Sequence, residues 1–153
     1  MGEILQSLKA VVAARPINVS PVVIRRNNLI KTIHEQIEAA KAKAAGNRYV
    51  VQQTRRLKNK ETGETIEQSR ERFVREAWWV GNDSKVYLQV RYAWKPLEIV
   101  KGKSAIEVGD WNNLLPVLEK LKKATETGEF DAQLNEASSR LAQQLKARRK
   151  ERK

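Results

Sequence analysis

From Lys85 to Lys95 the chain alternates. Val86, Leu88, Val90, Tyr92 and Trp94 fall on one parity, and Lys85, Tyr87, Gln89, Arg91 and Lys95 fall on the other. In a strand, successive side chains point to opposite faces. One face of this segment can therefore pack on a helix, while the other offers cations and an aromatic ring to solvent. Just upstream, Trp78-Trp79-Val80 ends another strand, and Gly81-Asn82-Asp83-Ser84 has turn chemistry. The stretch Ala77 to Val108 holds all but one of the tryptophans and reads as consecutive antiparallel strands.

The other segments have different periods. Leu29, Ile30, Ile33, Ile37, Ala40 and Ala44 recur at helical spacing behind Ser20-Pro21, an N-cap followed by proline at the first helical position, and Gly46 is a natural stop. Residues 47–73 read as a long β-hairpin with its turn at Glu61-Thr62-Gly63-Glu64. Its distal part sets Arg55, Arg56, Lys58 and Lys60 against Glu64, Glu67 and Glu71, which is too polar to bury, so it should project from the body. It is either a mobile loop tied by exposed ion pairs, which contribute little, or a basic β-arm. Leu97 to Val100 and Ala105 to Val108 flank Lys101-Gly102-Lys103. Asp110 can cap a helix through about Thr127, ended by Gly128, with Leu114, Leu115, Leu118 and Leu121 as its stripe. Pro116 implies a distorted first turn or a later start. A last helix carries Phe130, Leu134, Ala137, Leu141 and Leu145. The segment Met1 to Arg15 is weakly apolar and fits a short helix or an edge strand.

Parity also sorts the aromatic residues. Trp78 goes with Val74 and Val80 and reads as core, whereas Trp79 goes with Arg75 and is the better stacking candidate. Tyr87, between Lys85 and Gln89, is the second. Tyr92 and Trp94 have core parity, but a bulge at the strand end could reverse Trp94. Trp111 reads as a core residue at a helix start.

Charge changes the picture most. The formal net charge is +12, with 30 lysines and arginines against 18 acids, so polyanions are the first partner class to consider. The 153 residues suggest one domain, residues 1–145, with a basic, disordered tail at 146–153. There is no cysteine, which excludes disulfides and thiolate metal sites and is compatible with the cytoplasm. A signal peptide and a membrane span are not expected. The single histidine, His34, has no second soft ligand at metal spacing. Lys101-Gly102-Lys103-Ser104 lacks the upstream glycine of a phosphate loop, and no nucleophile–base arrangement stands out. No cofactor or metal is expected, and an enzyme is the weaker class.

Val86-Tyr87-Leu88-Gln89-Val90-Arg91, then Trp94, then Lys101-Gly102-Lys103-Ser104-Ala105-Ile106-Glu107-Val108 resembles the transcriptional coactivator family of single-stranded DNA-binding proteins, whose fold relatives include the Whirly proteins. With the helix position at Asp110 to Thr127, the likeness covers about a third of the chain. Ala105 stands where that family commonly has glycine. The resemblance implies a curved antiparallel sheet that presents cations and aromatics to a single strand, a helix that dimerises the domain, and a binding role for Trp94. Ser20-Pro21-Val22-Val23 with Arg25-Arg26 is similar to an uncharacterised family of bacterial and phage proteins, which supplies no function.

The reading is α+β: an antiparallel sheet of four to six strands with amphipathic helices on one face, forming a homodimer through one of the last two helices. The expected function is sequence-tolerant binding of single-stranded DNA by Arg56, Lys58, Arg75, Trp79, Lys85, Tyr87, Arg91, Trp94, Lys95, Lys101 and Lys103. The alternatives are a phage or mobile-element adapter, or an RNA-binding module.

Overall fold

The computed structural model describes residues 2–15 and 18–152. Residues 1, 16, 17 and 153, including the outer ends of the expected domain and tail, lie outside the described residues. The fold is α+β. Helix α1 (Glu3–Gln6) is one exposed turn, and α2 (Pro21–Ala44) is the long amphipathic helix. It starts at the proline behind Ser20 and stops before Gly46, which takes the positive φ of 78° that a side chain disfavours. Leu29, Ile33, Ile37 and Ala40 form its buried stripe.

The hairpin β1 (Val50–Lys58) and β2 (Thr65–Phe73) pairs over its full length, Val50 opposite Phe73 and Lys58 opposite Thr65. None of its residues is buried, so it stands out as an arm. The central sheet is β3 (Trp78–Val80), β4 (Val86–Gln89) and β7 (Ala105–Gly109), antiparallel in the order β3-β4-β7. A third, minimal sheet pairs β5 (Arg91–Tyr92) with β6 (Lys95–Pro96). All strand pairs are antiparallel.

The helices cover one face of the central sheet. Trp78, Val86, Leu88 and Val108 from that face join Leu29, Ile33 and Ile37 of α2 and Leu114, Leu118 and Leu121 of α3 (Leu114–Thr127) in one core. A 3-10 turn at Trp111–Asn113 precedes α3 and places Pro116 in its first turn, where its missing N–H costs no helical bond. Leu115 of α3 packs half-buried against this core, whereas Leu145 near the end of the last helix is exposed. Helix α4 (Asp131–Glu151) docks by Phe130 and Leu134, and Arg26 of α2 holds Asp131 through both carboxylate oxygens.

Two local expectations are corrected. The basic end does not leave the helix at residue 145: α4 runs on through Lys146 to Glu151. Lysine and arginine are good helix formers, and cations in the last turn complement the negative end of the dipole. The strand expected through Trp94 ends at Tyr92, because Ala93 and Trp94 both have positive φ, 47° and 60°. Two consecutive positive φ values make the tight loop whose twist suits a hairpin. Among the described residues, no helix is long and apolar enough to cross a membrane.

Candidate nucleic-acid interface

The alternation of β4 and the register of β3 together build the open face of the sheet. Trp79 lies directly opposite Tyr87, one parity away from the buried Trp78–Leu88 pair. The two rings stack at 6.0 Å between centroids and 24° between planes, and Trp79 keeps 44 % of its surface exposed. This is a two-ring platform with a free aromatic face, the geometry on which a base can stack.

The turn before β4 holds the Tyr87 ring in place. The Tyr87 hydroxyl donates to the Asp83 carboxylate, and the Asp83 Oδ1 also accepts from the backbone N–H of Lys85 at 3.2 Å. A side chain at Gly81 would meet Tyr87 Cε2 at 2.6 Å, so the glycine is what lets the ring lie across the turn. The hydroxyl bond holds the Asp83 carboxyl below its ordinary range and, with burial second, pushes the Tyr87 phenol above its own. The signs follow by linkage. Tyr87 stabilises the fold below the ordinary tyrosine range, and this is lost as pH rises through its raised value. Asp83 stabilises it above the ordinary aspartate range, and this is lost as pH falls through its lowered value. The turn is therefore pinned across neutral pH. Ultraviolet titration should show one phenol ionising late, and Asp83→Ala should bring it back toward the ordinary range. An unchanged titration would remove the pinning role.

Cations border the platform in two ways. Lys85 reaches across to Glu107 of β7 at 2.8 Å, which raises the lysine's pKa, and Glu107 sits opposite Tyr87 in the register. Lys85, expected as a phosphate contact, is thus partly neutralised by an exposed carboxylate. Sequence parity put both groups on the open face but could not pair them. At the other end of β3, Arg72, Arg75, Trp79, Gln89 and Arg91 line a groove of about 480 Å³ against α2, together with Glu35 and Glu76, the latter held by Lys43 at 3.1 Å. The buried Gln36 of α2 shapes its wall, donating to the Arg75 carbonyl at 2.9 Å and accepting from the Ala77 N–H at 3.0 Å. Arg72 pairs with Glu35 at 2.9 Å, and the Arg91 guanidinium donates to the Trp94 carbonyl at 3.1 Å.

Of the expected contacts, then, Arg75, Trp79, Lys85, Tyr87 and Arg91 come together. Trp94 is on the hairpin turn beyond β5 with 68 % of its surface exposed, which settles it as a surface ring. Its parity failed because the φ reversal at Ala93 reorients the chain. Lys95 bonds Gln144 of α4. Lys101 lines a different cavity, of about 540 Å³, with Glu98, Glu136 and Arg140. Lys103 sits in a tight turn, its backbone N–H on the Val100 carbonyl at 2.7 Å. Arg56 and Lys58 belong to the arm, where Arg56 is paired with Glu67 at 3.1 Å. Sequence reasoning missed Arg72 and Gln36. Arg72 was legible only as one more charge in β2, and Gln36 only as a polar residue on an apolar stripe.

These features define a class: a small α+β protein with one sheet face closed by helices and the other carrying a stacked Trp–Tyr pair beside a groove lined by three arginines and two glutamates. The chain belongs to the family of unknown function DUF6641, which matches residues 4–134. No curated protein matches it, and no solved structure does.

Proposed function

We propose that the protein binds single-stranded nucleic acid, DNA before RNA, with little regard to sequence. The observation that carries this reading is the half-exposed Trp79 stacked on Tyr87 at the mouth of the Arg72–Arg75–Arg91 groove. Bases stack on such rings whatever their identity, while guanidiniums hold the phosphates between them. The net charge of +12 brings the polyanion to the surface. Arginine suits this position because its planar fork makes bidentate bonds to phosphate and stays charged at any working pH. The reading rests on this site and does not need the coactivator resemblance.

The test is tryptophan fluorescence on adding oligo-dT, oligo-U and duplex DNA at two salt concentrations. Oligo-dT should quench the signal, since Trp79 is the partly open ring of the platform. Each phosphate contact to a single strand contributes a slope of about −0.7 in log K against log salt, so Arg75 and Arg91, the groove arginines without a carboxylate partner among the described residues, imply about −1.4. A flat dependence between low and physiological salt would reject the electrostatic part and favour the adapter reading instead.

A further inference from the structure

The arm has two unlike faces. In the antiparallel register, Gln52 lies opposite Glu71 and Arg56 opposite Glu67, and these side chains bond one another at 3.2 and 3.1 Å. Ser69 adds a bond to Gln52 on the same face. That side is self-satisfied. The other side has Gln53 opposite Arg70 and Arg55 opposite Gln68, a checkerboard of two arginines and two glutamines. All four are exposed, and none has a side-chain partner among the described residues. Both strand carboxylates, Glu67 and Glu71, lie on the self-satisfied side, so this side holds no acid within the strands. Toward the tip it ends in an exposed Leu57–Ile66 pair.

We propose that this face of the arm is a second nucleic-acid site that enters the major groove of duplex DNA. Arginine and glutamine are the side chains whose two-pronged donors and acceptors match the major-groove edges of guanine and adenine, and apolar groups meet the thymine methyl. A groove about 12 Å wide admits a two-stranded ribbon. The nine paired residues of each strand give the ribbon a reach of about 30 Å, enough to lie along a groove while the body stays outside. The face carries no aromatic ring on which unstacked bases could rest, which separates it from the Trp79 platform and favours a paired helix over a single strand. Beyond its base, where Arg72 meets Glu35 of α2, the face carries no strand acid, which matches the phosphates on either side of the groove.

The inference stands apart from the single-strand reading, and one experiment keeps the two distinguishable. A short DNA duplex with a randomised centre is enriched against the full chain, and the winning duplex and oligo-dT are then titrated with wild type, Arg55→Ala/Arg70→Ala, Gln53→Ala/Gln68→Ala and Trp79→Ala. The expected result is a recovered motif. Duplex affinity should fall by roughly 5- to 150-fold for each lost bidentate contact in the arginine variant. The glutamine variant should relax the motif at the adenine positions, and oligo-dT binding should be unchanged in both. Since all four residues are exposed, circular dichroism should show the variants folded. No enrichment, unchanged duplex affinity in the arginine variant, or an equal loss on duplex and oligo-dT each overturns the proposal. Unchanged oligo-dT binding in Trp79→Ala overturns only the single-strand reading.

Discussion

Replacing Trp78 with alanine is expected to cost about 3–5 kcal/mol of folding stability, read as a lower urea midpoint. Trp78 is only 5 % exposed and meets Trp111 edge-on at 6.0 Å and 69°. It lies in the same core as Leu88, its cross-strand partner, and as Ile33 and Leu118 from the two covering helices. Deleting it loses the burial of a large ring, leaves a cavity where sheet and helices meet, and removes an aromatic pair worth about 0.5–1.5 kcal/mol. Lys43, whose ammonium lies 6.0 Å from the Trp78 ring and 5.5 Å from that of Trp111, loses one of its two faces. Trp78→Phe keeps most of the volume and should cost clearly less. If Trp78→Ala unfolds at the wild-type midpoint, the shared core of sheet and helices is misassigned.

The adjacent residue should behave in the opposite way. Trp79→Ala is expected to weaken oligo-dT binding by about 1–3 kcal/mol, roughly 5- to 150-fold. It should cost at most about 1 kcal/mol of stability, the value of one cross-strand aromatic pair on an open face. Tyr87→Ala should give a smaller loss. The double variant should lose less than the sum, because the rings stack on each other and act as one platform. Oligo-dT affinity unchanged by Trp79→Ala, measured on protein with a normal urea midpoint, would sink the platform. The contrast between the two neighbours is the sharpest consequence of a strand's two-residue period.

Much of this was legible in the chain because it depends on local geometry. The apolar stripe of α2, its start at Pro21 and its end before Gly46 follow from helical spacing and two residues with restricted or permissive backbones. The opposite orientations of Trp78 and Trp79 follow from strand parity alone. The arm was visible as a run too polar to bury, and its full register places every charge on one of its two faces. What the chain could not show is set by interactions distant in sequence. Lys85 meets Glu107, Arg72 meets Glu35, and Lys95 meets Gln144, none of them near neighbours along the chain. Trp94, which parity left open, was decided differently. Positive φ at a non-glycine residue costs energy, so sequence argues against it at Ala93 and Trp94, and only the pairing of β5 with β6 overrides that preference.

By itself the sequence determined the α+β class, the bounds of α2 and of the hairpin to within a few residues, the excess of positive charge and the facing of the paired tryptophans. These rest on backbone stereochemistry and on the two periods, 2.0 and 3.6, that any stretch of chain carries within itself. The tertiary structure decided which strand lies beside which, and hence that Trp79 finds Tyr87, that Arg72, Arg75 and Arg91 converge on one groove while Lys101 goes to another, and that the free arginines of the arm are Arg55 and Arg70 rather than Arg56. Which charges are neutralised and which stay free for a ligand depends on spatial neighbours, and those are set only when the helices close one face of the sheet and leave the other to solvent.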